Sequence, residues 1–223
     1  MKIYILKIYI KYRKFEKIFL WLLRDITIKA YGIKVKTHIT DMSDAQTFRE
    51  IFLKGEYDKY LGEPKKILDL GSNVGYSIQF FKAKYPKAII YGYEPNPETF
   101  KKLKRNVKDL DNVFIYNKAI SDKEGIEKMY LGNSSASSSL VDRFEENFNF
   151  SQVSCIELPI EKFDLIKFDI EGYEHKVIQN PMNTKYIIGE VHHDLGKGIK
   201  LDNFDLEIEK ISKYREKVWG KIK

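Results

Sequence analysis

The chain has a repeating pattern of hydrophobic and polar positions from residue 65 to about residue 191. Short apolar runs there are separated by helix-length segments of mixed polarity. Apolar runs of this length predict parallel strands that helices cover on both faces. We therefore predict an α/β domain over residues 63–223, with strands at "KKILDL" (65–70), "AIIYGY" (88–93), "VFIYNKAI" (113–120), "DLIKFDI" (164–170) and "KYIIGEV" (185–191).

Near the end of the chain, apolar side chains recur at every second position. Residues 203–212, "NFDLEIEKIS", alternate between apolar and polar side chains, which predicts a half-exposed strand. Residues 215–223 follow it and are expected to pair back as an antiparallel hairpin. Upstream, Asn96 and Pro97 suit the N-cap and the first position of a helix, and the Ser-rich segment 132–140 predicts a loop.

Residues 1–62 precede this domain and predict a basic, amphipathic helical arm. Apolar side chains recur at spacings of three and four over residues 5–26, with lysines mostly to one side of that stripe. Gly32 is the expected end of this helix, although a strand in the first ten residues stays open. Two shorter elements are expected after it, a strand at 34–39 and a helix over 44–54 capped by Asp41 or Ser43.

Positive charge is concentrated in the same arm. The chain of 223 residues has a net charge of +7, and residues 1–36 alone carry +8, so the remainder is nearly neutral. A neutral body gives no electrostatic reason to expect a nucleic-acid groove, and a nucleic-acid partner is disfavoured. Two interpretations of the arm stay open: a solvated helix face packed on the body, or peripheral contact of residues 1–31 with an anionic membrane.

The arm and the cysteine content bear on location. Charged residues interrupt every apolar stretch of the arm, which argues against a secretory signal and a spanning helix there. The single cysteine, Cys155, excludes an intramolecular disulfide and a Cys-rich zinc site. We expect a cytoplasmic protein, peripheral to a membrane if the arm binds one.

A glycine turn follows the first predicted strand in "ILDLGSNVGYSIQFF" (67–81). Such a turn lets a ligand approach the backbone and the start of the next helix. The dinucleotide pattern G-x-G-x-x-G fails, because its second and third glycines would fall on Asn73 and Tyr76, and no phosphate-binding G-x-x-x-x-G-K-[ST] is present. The turn at Gly71 and Gly75 therefore suits a nucleoside ligand without a diphosphate.

Two acids complete this prediction. Glu94 ends the second strand, 19 residues after Gly75, where a carboxylate can accept hydrogen bonds from both ribose hydroxyls. Asp69 ends the first strand and could face a cationic group. A ligand with a ribose, a positive charge and no phosphate is S-adenosylmethionine. Simpler interpretations remain: a plain strand-to-helix turn, Asp69 as a loop brace and Asn73 as a helix cap.

Several stretches together resemble the FkbM family of S-adenosylmethionine-dependent methyltransferases. They are "FREIFLKGEYDKYLGEPKKILDLGSNVGYSIQFF", "YGYEPNPETFKKLKRNV", "NKAISDKEG", "DLIKFDIEGYEHKVI" and "YIIGEVHH", and they cover roughly residues 45–193. The resemblance implies a Rossmann-like, mostly parallel seven-stranded sheet whose last two strands form an antiparallel hairpin. Residues 194–203 depart from the family pattern, because they are too few for a full crossover helix, and the arm up to residue 44 lies outside the matched region.

The resemblance also implies roles for individual residues. O-methylation is expected, often of a sugar, a glycan or a related small molecule. The residues themselves suggest the base: His192, Asp169 and Glu190 are candidates, and a neutral His192 with an ordinary pKa is the best of them at pH 7. Asp169 and Glu171 could hold a divalent ion, but two carboxylates are a weak metal signal, and we predict none. The catalytic candidates are Asp169, Glu171, Glu190 and His192. The expected cofactor-binding residues are Asp69, Gly71, Ser72, Asn73, Gly75, Tyr76, Glu94, Pro95, Asn96, Ala119, Ile120 and Asp169.

Two other functions compete with this one. Base N-methylation of nucleic acid is disfavoured, because "DIEGYE" stands where those enzymes usually carry an Asn/Asp-Pro-Pro-aromatic turn, but methylation of an RNA ribose stays open. A non-catalytic nucleoside-binding protein is the second alternative. The retained acids Asp69, Glu94, Asp169 and Glu171 argue against it, since a decayed site need not keep them. The acceptor and the oligomeric state are not predicted.

Overall fold

A computed structural model describes residues 21–59, 61–132, 138–141, 149–178, 183–193, 199 and 201–223. The strands in these residues are β1 (Asp25–Ala30), β2 (Ile33–His38), β3 (Lys66–Leu70), β4 (Ile89–Tyr93), β5 (Val113–Tyr116), β6 (Ala119–Ser121), β7 (Gly125–Tyr130), β8 (Phe150–Glu157), β9 (Phe163–Phe168), β10 (Thr184–His192), β11 (Phe204–Lys210) and β12 (Arg215–Ile222). The helices are α1 (Met42–Phe48), which continues as a π-helix (Arg49–Leu53), α2 (Tyr76–Lys84), α3 (Pro97–Val107) and α4 (Glu174–Val177).

One seven-stranded sheet organises the molecule, in the order β11-β12-β10-β9-β3-β4-β5. Its neighbouring strands from β10 to β5 pair in parallel, whereas β12 runs antiparallel to both β10 and β11. The chain leaves β3 toward β5 and returns on the other side at β9, so the sheet has a switch point between β3 and β9. Ligands of open α/β sheets bind outside the carboxyl ends of the strands at such a point. The predicted fold class and the antiparallel C-terminal hairpin are confirmed.

Two hydrophobic clusters cover the two faces of this sheet. Ile67 of β3 belongs to the cluster under α2 and α3, and its neighbour Leu68 belongs to the cluster on the opposite face, as the alternation of a strand requires. The first cluster also contains Leu23, Ile26 and Ile28. Residues from 23 onward that were predicted to form an arm therefore share a core with the sheet.

The prediction of a helix up to Gly32 is wrong for its last part. Residues 25–38 form the antiparallel hairpin β1–β2, closed by a two-residue turn in which Tyr31 and Gly32 both have positive φ, 49° and 82°. A turn of this type matches the twist of paired strands. Ile26 and Ile28 satisfy the spacing of a strand equally well, and their burial against α2 decides between the two structures.

The predicted third strand, residues 113–120, is also corrected. β5 ends at Tyr116, and residues 119–121 leave the large sheet to form β6 beside β8. The three-stranded sheet β6-β8-β7 was not predicted. The prediction of a helix near 44–54 is confirmed by α1 and the π-helix, and the Asp41 side chain caps α1 by accepting from the Asp44 N–H.

Some predictions fall on residues that the structure does not describe. They concern the first part of the arm (1–20), most of the Ser-rich loop (133–137) and most of the connection before β11 (194–198 and 200). Among the helices of the described ranges, none is long and apolar enough to cross a membrane.

Candidate active site

Two clefts open at the carboxyl ends of the parallel strands, and they meet at Asn73, Asp169 and Glu171. The first cleft is also lined by Gly71, Tyr93, Glu94, Pro95, Lys118, Ala119, Ile120, Met129, Ser138, Ser139, Leu140, Ile170 and Tyr173. The second cleft is also lined by Ser43, Gln46, Thr47, Glu50, Glu56, Tyr57, Glu190 and Arg215. Among the described residues, these three are the ones that line both clefts, so the junction between the clefts lies beside them.

The glycine loop after β3 forms the floor of the first cleft. A Cβ on Gly71 would lie 1.9 Å from the Asp169 carbonyl oxygen, so only glycine lets the ends of β3 and β9 come this close. Gly71 and Ser72 both donate their backbone N–H to the Tyr93 carbonyl, which ties the loop to the end of β4. Gly75 serves a different purpose: its Cβ would meet the Leu103 side chain at 2.7 Å, so it allows α2 to pack on α3.

Glu94 is the buried carboxylate of the first cleft. Its Oε2 accepts from the Asn73 N–H and its Oε1 from the Asn96 N–H, both at 2.9 Å. Burial raises the pKa of Glu94 to about 7, against the lowering effect of those two backbone donors. The carboxylate is therefore held in place by backbone groups while one lone pair on each oxygen remains for a ligand.

The opposite wall of the first cleft is mostly apolar. Ala119 and Ile120 of β6 lie there as predicted, together with Met129 and Leu140. Met129 belongs to β7, and Leu140 packs against it and against Ile120's cluster. These two residues were missed, because no motif near them indicates a ligand and the sheet that carries β7 was not expected.

Five predicted cofactor-binding residues line neither cleft. Asp69 is fully buried, accepts from Ser77 Oγ at 2.6 Å and lies 3.0 Å from Lys167 Nζ, so the expected contact with a cationic ligand is corrected. Tyr76 donates its hydroxyl to the His38 carbonyl at 2.7 Å and belongs to the core. The others are Ser72, which donates to the Asp69 carbonyl, Gly75, which packs on Leu103, and Asn96, which caps α3.

The second cleft is rich in carboxylates. Glu50, Glu56 and Glu190 line it together with the shared Asp169 and Glu171. Two basic side chains of β12 lie against them: Arg215 Nε is 2.8 Å from Glu190, and Lys217 Nζ is 2.8 Å from Glu56. Most of these acids come from segments far apart in the sequence, and this explains why Glu50, Glu56 and Arg215 were not predicted.

Glu190 is a carboxylate of the second cleft whose pKa is raised to near neutral pH. Burial, followed by the neighbouring charge of Asp169, raises the pKa of Glu190 to about 7. Arg215 and His192 oppose that rise. A carboxylate with this pKa is ionised in about half of the molecules at pH 7 and accepts a proton more readily than an ordinary glutamate.

His192 is a cation, and this overturns the expectation of a neutral base. Its Nδ1 lies 3.2 Å from Glu174, and its Nε2 lies 3.4 Å from Glu190 and 3.6 Å from Glu171. Burial lowers its pKa, but the hydrogen bond to Glu174 and the charges of Asp169 and Glu171 outweigh burial and raise the pKa to about 9. His192 is therefore protonated at pH 7 and orients these carboxylates.

Glu174 connects His192 to the turn after β9. The buried Glu174 side chain also accepts from the backbone N–H groups of Ile170 and Gly172. Within this turn, Glu171 adopts a positive φ of 55°, a conformation that is uncommon for a residue other than glycine. The turn that presents Asp169 and Glu171 to both clefts is thus held by a buried histidine–glutamate pair.

Asp169, Glu171 and His192 also carry potential metal-ligand atoms within 4.8 Å of one another. His192 Nδ1 is directed at Glu174, an arrangement that suits a protonated ring between carboxylates and equally a ring that binds a metal through Nε2. The geometry is common to both, and we do not assign a metal centre to the three residues.

A mostly parallel sheet in this strand order, with a cleft at its switch point and an antiparallel final strand, is the fold of the Rossmann-like methyltransferases that use S-adenosylmethionine. The solved structure of the Escherichia coli protein yhhF shares the fold, with a TM-score of 0.51, 11% identity and coverage of 89% of this chain and 98% of that chain.

Sequence comparison defines the family. The sequence model of the Methyltransferase FkbM domain matches residues 69–215, and this chain belongs to the FkbM methyltransferase family. The 2-O-methyltransferase NoeI of Sinorhizobium fredii is 26% identical over 140 residues, 53% of this chain and only 58% of that protein. The methyltransferase sdnD of Sordaria araneosa is 24% identical over 198 residues, 71% of this chain and 74% of that protein.

The residues of the first cleft fit the cofactor of this family. Glu94 offers a buried carboxylate for the ribose hydroxyls, and Ile120, Met129 and Leu140 offer apolar surface for a base. Asn73 Oδ1 is buried at the junction of the clefts and has no hydrogen-bond partner among the described residues, so a ligand donor is expected there. These residues would hold S-adenosylmethionine with its reactive end toward the second cleft.

Proposed function

We propose that this protein is an O-methyltransferase that acts on a hydroxyl of a sugar, a glycan or a similar polyhydroxylated molecule. The observation that carries the proposal is the lining of the second cleft, which contains five carboxylates, two of them at the junction with the first cleft. Carboxylates accept hydrogen bonds from several hydroxyls at once. A polyol therefore fits this cleft better than an aromatic or lipid acceptor does.

The same charges disfavour RNA as the acceptor. Glu50, Glu56 and Glu190 would repel the phosphates next to a target ribose, and the β12 cations beside them are paired, Arg215 with Glu190 and Lys217 with Glu56. A ribose methyltransferase needs free positive charge along the nucleic-acid path. NoeI, to which this chain is similar, carries 2-O-methyltransferase in its name, which supports an oxygen acceptor.

The chemistry requires alignment and the removal of one proton. Bound S-adenosylmethionine supplies an electrophilic methyl group. Asn73, Asp169 and Glu171 lie where the acceptor oxygen must be oriented toward that group. The Glu190 carboxylate takes the proton of the acceptor hydroxyl, because its pKa of about 7 gives it both the ionised form and sufficient basicity.

The neighbours of Glu190 keep it in place for this step. Arg215 Nε and His192 Nε2 lie 2.8 and 3.4 Å from the same carboxylate oxygen, Oε1. Their charges favour the ionised carboxylate before reaction. His192 in turn is anchored by Glu174, so the proton acceptor is supported by a buried network rather than by solvent.

Transfer of a labelled methyl group tests this proposal. The protein is incubated with methyl-labelled S-adenosylmethionine and, in parallel, with free glycosides, sugar nucleotides, lipid-linked glycans and total RNA. We expect label in a carbohydrate fraction, as a methyl ether that disappears when Glu190→Gln replaces the wild type. Label in RNA that survives in that variant would contradict both the acceptor class and the base.

A further inference from the structure

We infer that Lys167 and Asp69 form a positioning ion pair beneath the glycine loop. The pair holds the Gly71 carbonyl and thereby keeps the Glu94 carboxylate in the position and charge state that bind the nucleoside. Neither residue lines a cleft, and neither is a catalytic residue. The inference deepens the proposed function and rests on it, because it concerns the same first cleft.

The pair lies between two adjacent parallel strands. Asp69 of β3 is opposite Lys167 of β9 in the register, and the side chains are 0% and 2% exposed. Lys167 Nζ lies 3.0 Å from Asp69 Oδ1. A lysine is almost never buried this deeply unless its charge has partners, so this ammonium group has a defined place in the fold.

The remaining contacts of the pair go to the loop. Lys167 Nζ donates to the Gly71 carbonyl at 2.6 Å and to the Leu70 carbonyl at 3.2 Å. Asp69 Oδ2 accepts from Ser77 Oγ at 2.6 Å, in the first turn of α2. The glycine loop is therefore anchored at its start by the ammonium group and at its end by the carboxylate.

The loop transmits this arrangement to Glu94. The next peptide groups along the loop lead to Asn73, whose N–H donates to Glu94 Oε2. A displaced Gly71 carbonyl would move this donor and loosen the carboxylate. The Lys167 contacts thus act on cofactor binding through the position of one backbone N–H.

The charges of the pair also reach Glu94 directly. Burial is the main cause that raises the pKa of Glu94, and the backbone donors Asn96 and Asn73 and then the charge of Lys167 lower it, whereas the charge of Asp69 raises it. Lys118, Asp169 and Glu171 share the cleft with Glu94. Lys167 and Asp69 have opposite effects on the same carboxylate, so replacing one or the other should shift the pKa of Glu94 in opposite directions.

The affinity for S-adenosylhomocysteine, measured as a function of pH, reports these opposite shifts. Calorimetric titrations from pH 5.5 to 9 compare the wild type with Lys167→Met, Asp69→Asn and the double variant. The wild-type affinity should rise with pH around a midpoint near 7, because the ionised Glu94 accepts the ribose hydroxyls. Glu94→Gln should remove the pH dependence, which assigns the midpoint.

The single variants should move the midpoint in opposite directions. Lys167→Met should raise it by about one pH unit, which weakens binding about fivefold at pH 7, and Asp69→Asn should lower it by a similar amount, which tightens binding about twofold. The double variant should return near the wild-type midpoint. A purely structural role would weaken binding equally at every pH and leave the midpoint in place.

The pH midpoints of the single variants decide whether the ion pair acts on Glu94. Unmoved midpoints in the folded single variants would overturn it. If Lys167→Met does not fold, Asp69→Asn decides alone, because Lys167 keeps its two carbonyl partners there: a lower midpoint supports the inference, and an unchanged one overturns it. Wild-type protein that binds no S-adenosylhomocysteine at any pH would overturn the proposed function itself, and this inference with it.

Discussion

The first and second clefts of this molecule both contain a glutamate whose pKa is raised by burial to about 7, yet their surroundings differ. In the first cleft, Glu94 is held by two backbone N–H groups and faces an apolar wall. In the second cleft, Glu190 lies among other carboxylates and is held by the charged side chains Arg215 and His192.

We interpret this difference as a separation of ribose recognition from proton transfer. Backbone donors fix a carboxylate rigidly, which suits the hydrogen bonds of a ribose. Burial and the charge of Asp169 favour the protonated form of Glu190, whereas Arg215 and His192 favour its ionised form, so both forms are populated near pH 7. We therefore expect substitutions in the first cleft to act on cofactor affinity and substitutions in the second to act on rate.

The largest effect is expected from Glu190→Gln, which keeps the shape of the side chain and removes its basicity. Loss of a general base typically lowers the rate about 10²- to 10⁴-fold. The wild-type rate should rise as pH increases through about 7, because the proposed base is the ionised form of Glu190. Steady-state methyl transfer between pH 6 and 9 measures both, and cofactor affinity in the variant should stay near the wild-type value.

The matched control for this experiment is Glu207→Gln, on an exposed face of β11. It should retain wild-type rate and pH profile. A Glu190→Gln enzyme with full activity and an unchanged rise around pH 7 would place the proton acceptor elsewhere. Loss of wild-type activity with a chelator and its return with magnesium would show that the shared carboxylates bind a metal.

Glu94→Ala should have the next largest effect, this time on binding. Removing a charged acceptor of two hydrogen bonds costs about 1.5–3 kcal/mol, which weakens S-adenosylhomocysteine binding about 10- to 150-fold. Titration calorimetry measures this loss, with Glu98→Ala on the exposed start of α3 as the control. Unchanged affinity for the Glu94 variant would refute the ribose assignment.

His192→Gln should reduce stability in a pH-dependent manner. The folded-state pKa of His192, about 9, lies above its ordinary value, so the charged histidine contributes stability that is complete below pH 6.5 and is lost as pH rises through 9. We expect a loss of about 2 kcal/mol at pH 6, the range for hydrogen bonds to charged groups, that becomes smaller above pH 9. Urea unfolding at pH 6, 7.5 and 9.5 measures it.

A constant loss across that range would mean that His192 is not charged in the native protein. The activity of the same variant separates the two possible bases. If Glu190 is the base, some of the wild-type rise in rate with pH should remain, at a shifted midpoint. If the histidine is the base, that rise should disappear.

The smallest effect concerns the N-terminal arm, where contact with an anionic membrane remains a proposal. Trp21 is 74% exposed, whereas Leu23 and Ile26 belong to the core, so a deletion should remove only residues 1–20. Loss of their six Lys/Arg residues should weaken binding to phosphatidylserine vesicles by at least about tenfold at low salt. Equal and low co-sedimentation of both proteins would favour a purely structural arm.

Regular strands and one glycine turn made much of the sheet predictable. The five parallel strands and the last hairpin were expected from apolar runs and strict alternation, and Gly71, Asn73, Glu94, Pro95, Ala119, Ile120 and Asp169 line the first cleft. Local sequence carries this information, because a strand end and the turn after it are adjacent in the chain.

Contacts between distant segments were harder to predict. The spacing of Ile26 and Ile28 fits a helix or a strand, and only packing on α2 selects the hairpin. Asp69 faces Lys167 rather than a ligand, and the partner is 98 residues away in the sequence. The charge of His192 depends on Glu174 and on carboxylates from two other positions, so its ordinary pKa was a poor guide.

A crystal structure with S-adenosylhomocysteine tests the division between the two clefts most directly. We predict that the ribose hydroxyls donate to the Glu94 carboxylate, that the adenine lies against Ile120 and Leu140, and that the sulfur lies at the junction formed by Asn73, Asp169 and Glu171, open toward Glu190. A nucleoside bound among the carboxylates of the second cleft, or a ribose away from Glu94, would contradict this assignment.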